Sequence, residues 1–198
     1  MDIKQAFKLF LPNIKLNRSL RILVTANTIL VFVFGLFVPF YAIFIENMGG
    51  SVATAGFTWG LFMIVAGILT LLFSRWELRM KEQELLLAIG YIIRGAAFLS
   101  YAFMASMSQL VVTQVLWAVG MALGAPAFDS LYASHTDKDD SIQQWGSWEG
   151  IAAISSGSAA LIGGVLIQEF GFSAVFLSMA IICFLLGAYI WLLPRDVL

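Results

Sequence analysis

Few side chains in this 198-residue sequence can do chemistry, and most of those lie inside apolar runs. Asp129 stands in "APAFDSLY", and Glu149 stands in "QQWGSWEG" close to Trp145 and Trp148. A carboxylate shielded from water can load and release a proton, and one set among indoles can also contact a cation. Arg94 in "GYIIRGAAF" is a lone cation that could pair with Glu149, snorkel, or brace its own helix. Asp129 could instead close an ion pair with Arg75 or Arg79 of "SRWELRMK". At a 3.6-residue period Gln114, Trp117, Met121, Ala125 and Asp129 share one helix face, which could line a solute pathway or simply pack. Asn27 and Thr28 offer polar groups on an earlier helix.

Several kinds of reaction are excluded. The single histidine, His135, cannot supply H-E-x-x-H or a multi-histidine metal site. No histidine lies inside an apolar run to act as base for the serines of "ISSGSAA". Only one such run carries an aspartate, short of the pair an aspartyl protease needs. His135 sits among Asp137, Asp139 and Asp140, in a loop where it is either solvated or pH-sensing. Cys183 is the only cysteine, so no disulfide forms within the chain. Neither a metal nor a cofactor is expected.

The elements that must position these groups are set by composition. Hydrophobic residues make up 61% of the chain and charged residues 12%, with a mean hydropathy of +0.91. A soluble domain has about a quarter charged, so the bilayer is the expected solvent. A helix needs about 20 apolar residues to cross ~30 Å of hydrocarbon. Six runs qualify, at about 20–45, 52–74, 84–104, 109–133, 145–167 and 172–193, called spans 1 to 6 below. Together they make residues 1–198 a single all-α membrane domain. Residues 1–19 read as an amphipathic segment at the inner headgroup boundary, with Ile3, Phe7 and Phe10 opposite Lys4 and Lys8. Asn17 is placed to cap span 1.

Ten of the eleven cations lie before span 1 or after spans 2, 4 and 6. The positive-inside rule makes that side cytoplasmic and places both termini there, in a cell (inner) membrane. The bias favours parallel self-association. The cations are spread along an inner surface, which argues against nucleic acid as a partner, and no T-V-G-Y-G channel filter occurs. The eleventh cation, Arg94, falls about ten residues into span 3, or ~15 Å deep. An arginine there costs roughly 2.5–3.5 kcal/mol on insertion scales.

The two halves of the chain share landmarks. Pro39 precedes Trp59-Gly60 by 20 residues, and Pro126 precedes Trp145-Gly146 by 19. The period is three spans, so the second copy is inverted in the membrane, giving a 3+3 inverted repeat.

After span 2 the sequence reads "TLLFSRWELRMK", and span 5 carries the small residues Gly146, Ser155, Ala159, Ala160, Gly163 and Gly164. Span 4, "VLWAVGMALGAPAF", is rich in small residues and ends at a proline. In order and spacing these stretches resemble one six-helix half of a major facilitator superfamily transporter. Its loop signature is G-x-x-x-D-[RK]-x-G-[RK]-[RK]. Thr70, Ser74 and Glu77 stand here at the Gly, Asp and second Gly, while Arg75 and Arg79 keep basic positions. The family's span-5 signature includes a proline that is absent here.

The resemblance implies alternating access by a secondary transporter moving a small solute; coupling to a proton could run through Asp129 or Glu149, with uniport as the alternative. Spans 1 and 4 would line the pathway, through Asn27, Thr28, Gln114, Trp117 and Met121, joined by Trp145 and Trp148 of span 5. Arg75, Arg79, Arg94, Asp129 and Glu149 would be its gating or coupling charges. Since such transporters pair two six-helix halves, a parallel homodimer through spans 2 and 5 is expected. The alternatives are a non-transporting scaffold or assembly subunit, or half of a split or truncated twelve-helix transporter.

Overall fold

The computed structural model describes residues 16–195 and 197–198. Most of the amphipathic segment expected over residues 1–19 lies outside them. Asn17 caps the first helix, its Oδ1 accepting from the Leu20 amide at 2.9 Å, and α1 runs Arg18–Gly35. Pro39 lacks an N–H for the helical ladder, and the chain passes through a 3₁₀ turn at Val38–Phe40 into α2, Tyr41–Asn47. Ser51 and Thr54 form a capping box that starts α3, Val52–Glu77. Then follow α4, Gln83–Ala102, and α5, Met107–His135, which stays helical through Pro126. The two prolines of the expected repeat thus act differently: Pro39 breaks its helix and Pro126 does not.

The last element, α6, spans Ser141–Leu192. Straight, its 52 residues would reach about 78 Å. Gly171 interrupts it at φ 78°, ψ 167°, a backbone state that glycine adopts without a Cβ clash. The first arm packs on α1, where a Cβ at Gly163 would lie 2.3 Å from the Leu36 carbonyl oxygen. The second arm packs on α4, where a Cβ at Gly187 would lie 3.0 Å from the Ala88 carbonyl oxygen. Both ends of α6 lie at one end of the bundle. Tyr132 donates to the Gln144 carbonyl at 2.7 Å, Ser19 donates to the Val197 carbonyl at 2.7 Å, and Asn17 donates to the His135 carbonyl at 2.8 Å. The chain therefore doubles back at Gly171, inside the "QEFGF" stretch expected to link two spans, with no intervening loop.

By length and apolar composition, five stretches of this all-helical structure could cross a membrane: Arg18–Asn47, Val52–Glu77, Gln83–Ala102, Met107–His135 and the folded Ser141–Leu192. They differ in what covers them. In α4, 61% of the apolar window is buried, against 17% in α3. The third span, α4, is held between α5 and α6. Phe37, Phe44, Tyr101 and Phe176 form an aromatic core between α1, α2, α4 and the second arm, with Phe37 and Phe176 centroids 4.6 Å apart. The face formed by α3 and the first arm of α6 is left open.

Candidate functional site

Two cavities lie along this open face, with α1 and α5 as their floor. The first, about 190 Å³, is lined by Asn27, Phe34, Arg94, Met121, Phe128, Asp129 and Trp148, among others. The second, about 340 Å³, is lined by Phe34, Pro39, Trp59, Phe62, Trp117, Met121 and Ser156, among others. Val31, Phe34 and Met121 belong to both, so the cavities form one strip with a polar end and an aromatic end. A larger groove of about 510 Å³ between α1 and the second arm is mostly aliphatic. It contains none of the buried, unpartnered polar atoms found elsewhere in the described residues.

Arg94 is 3% exposed, so it does not snorkel. Glycines make its channel: a Cβ at Gly120 would sit 3.0 Å from Arg94 Cγ, and one at Gly124 would sit 3.2 Å from Nη2. Nη2 donates to the Met121 carbonyl at a long 3.4 Å, while Nε has no partner. The guanidinium carbon lies 5.7 Å from the Phe34 centroid and 6.0 Å from that of Tyr91, which partly replaces lost hydration. Tyr91 in turn donates to Asn27 Oδ1 at 3.3 Å.

The expected ion pairs of the site are not formed. Among the described residues, the only salt bridges join Arg195 to Glu84 at 3.4 Å and to Glu82 at 4.0 Å. Arg75 and Arg79 are exposed at the end of α3, whereas Asp129 borders the first cavity beside α6. Glu149 is exposed on the first arm, within electrostatic reach of Asp129. Arg94 pairs with neither carboxylate because its head is turned to the α5 backbone and the Phe34 ring.

The remaining pathway candidates divide between the strip and its surroundings. Trp148 lines the first cavity and packs on Phe128 at 5.0 Å. Trp145 lies against Tyr132 at 4.5 Å and lines neither cavity. Trp117 is buried among Phe34, Phe62 and Phe98, with Nε1 unpartnered. The Thr28 hydroxyl is buried and unpartnered, and its carbonyl accepts from Ser155 at 3.1 Å. Gln114 is fully buried and donates to the Tyr41 hydroxyl. Tyr41 lies 2.6 Å from Thr58 Oγ1, which donates to the Thr54 carbonyl at 2.8 Å. This chain of bonds fastens α5, α2 and α3 at the end of the bundle away from the termini. Tyr41 and Thr58 gave no sequence signal, because each is an ordinary polar residue whose partner lies on another helix. Phe34 and Phe128 were likewise hidden among many phenylalanines.

The small residues of span 5 do what such residues are expected to do, which is to let helices approach closely. A Cβ on Gly35 would meet Ala159 Cβ and the Ser156 carbonyl oxygen at 2.7 Å each. Other glycines meet nothing. No atom lies within 4 Å of a Cβ built at Gly56, Gly60 or Gly67 of α3, or at Gly146, Gly150 or Gly157 of α6.

Comparison with known proteins agrees with this architecture. The chain is 29% identical over 157 residues to the uncharacterized MFS-type transporter YitZ of Bacillus subtilis, covering 79% of this chain and 94% of that protein. It is 35% identical over 116 residues to the methyl viologen resistance protein SmvA of Salmonella typhimurium, covering 56% of this chain but only 23% of SmvA. No solved structure matches. The sequence profile of the Major Facilitator Superfamily matches residues 23–197, nearly the whole chain, and the protein therefore belongs to that family of membrane transporters.

Proposed function

We propose that this chain is one six-span half of a secondary transporter, that two parallel copies pair through spans 2 and 5, and that the cavity strip becomes the solute pathway between them. Both termini face the cytoplasm, as the distribution of cations requires, and the solute moves by alternating access. The reversal at Gly171 supports six crossings, because it returns the chain to the end where α1 begins.

The observation that carries the reading is the pairing of a cavity strip with open glycines on both of its flanks. Glycine lowers helix stability, and against lipid it brings nothing in return, whereas against another helix it permits close contact. Arg75 and Arg79 lie free at the cytoplasmic end of span 2, available to a partner half when that side closes. Proton coupling through Asp129 fits its position in the wall of the first cavity, and Glu149 on the exposed first arm is the alternative.

The test is disulfide cross-linking in native membranes, with cysteines at Gly60 and Gly157 in a Cys183→Ala background, together with solute flux into proteoliposomes. Cross-links between span 2 of one copy and span 5 of another, along with flux, are expected. Cross-links absent from this pair but present between copies carrying cysteines introduced in spans 3 and 6 would refute the pairing. A second reading draws on the partial match to the longer SmvA: the other half belongs to a different sequence. Cross-linking to a non-identical protein would favour it. An assembly subunit would show neither flux nor solute-dependent stabilisation.

A further inference from the structure

We propose that the first cavity binds a zwitterionic solute, with Arg94 taking its anionic end and Asp129 its cationic end. This rests on the reading of the strip as a solute pathway.

Three observations converge on it. First, Arg94 is an almost fully buried guanidinium with one long hydrogen bond and a free Nε, and it forms part of the cavity wall. An uncompensated buried charge is destabilising by several kcal/mol, so the site is complete only when an acceptor arrives. A carboxylate matches the guanidinium fork. Second, Asp129 lines the same cavity without bonding to Arg94. Opposite charges thus border one space without neutralising each other. Third, that space is about 190 Å³, room for about six waters at ~30 Å³ each. Phe34, Phe128 and Trp148 form its apolar and aromatic wall, which suits a short aliphatic body or an alkylated ammonium group.

The charges discriminate. A simple cation would sit against Arg94 with nothing to neutralise it. A simple anion or a phosphate would share the cavity with the Asp129 carboxylate and leave it unmatched. A molecule bearing both signs satisfies each end.

The experiment is equilibrium binding by calorimetry to the purified full chain in nanodiscs near neutral pH. The probes are the proteinogenic amino acids and glycine betaine, each matched with the amine or ammonium lacking the carboxylate and with the carboxylate lacking the amine. Methyl viologen serves as a further cation. At least one zwitterion is expected to bind about tenfold or more tightly than both of its single-charge analogues, the size of a charge-assisted hydrogen bond. Arg94→Gln should abolish that preference, weakening the zwitterion and, with the opposing charge gone, strengthening the matched amine, and Arg94→Lys should restore part of it. Gly124→Ala keeps the charge but crowds Nη2, and weaker zwitterion binding in that variant serves as the check should Arg94→Gln not fold.

Binding of the amine or of methyl viologen as tightly as any zwitterion would overturn the proposal. So would a preference that survives Arg94→Gln, or no response to any zwitterion. Zwitterion binding without flux in proteoliposomes would sink the transport reading and leave the site standing. Flux of a cation indifferent to Arg94 would do the reverse.

Discussion

Gly163→Ala is the sharpest probe of the packing that holds the strip in place. The new Cβ would lie 2.3 Å from the Leu36 carbonyl oxygen and 2.8 Å from Leu36 Cα. Both are backbone atoms, so no rotamer can move aside. To reach even 3.0 Å, the first arm of α6 must retreat from α1 by about 0.7 Å. Overpacking of this kind costs about 1–3 kcal/mol. Gly157→Ala is the matched control, because nothing lies within 4 Å of its Cβ and alanine gains up to about 1 kcal/mol of helix propensity. Cys183, the only thiol, is fully buried, so its maleimide labelling reports opening of the bundle without any introduced probe. Gly163→Ala should label about 5- to 150-fold faster than the parent, and Gly157→Ala no faster. Equal rates for Gly163→Ala and the parent would refute the close approach of α1 and α6. Comparable acceleration by both alanines would show that the labelling does not report this contact.

Three further outcomes follow from single groups. Tyr41→Phe strips the hydroxyl between Gln114 and Thr58 and should destabilise by about 1–3 kcal/mol, the range for orphaned buried polar groups, seen as faster Cys183 labelling. Arg94→Met replaces an unpaired buried cation and should raise stability by about 1 kcal/mol or more while removing solute flux; a loss of stability would mean that the guanidinium is structural. Arg195→Ala removes a partly exposed ion pair to Glu84 and should shift stability by at most about 1 kcal/mol, an effect that added salt should shrink.

Much of the framework was legible because it depends on local pattern. Apolar run length located the helices, Asn17 announced its cap, and the spacing of small residues in span 5 anticipated its close packing. What could not be read is which helix faces meet. Span 4 is apolar on nearly all sides, so periodicity does not say which side turns inward. Arg94 could have snorkelled, and its burial follows from Gly120 and Gly124 on a different helix. Asp129 and the arginines after span 2 looked equally suited to pair. Only the direction of the α5 face, toward the first arm of α6, separates them. Gln114 stood out in span 4, but Tyr41 and Thr58 acquire meaning only when helices distant in sequence meet.

The reversal at Gly171 leaves no slack between the two arms of α6. One arm is wedged against α1 and the other against α4, so any tilt of the first is transmitted directly to the second. If the chain is the inverted repeat expected from its sequence, one three-span unit could not rock against the other without tearing one of these seams. The alternating access proposed above would then carry all the helices as one rigid body, with its moving joint at the open glycine face and not inside the chain.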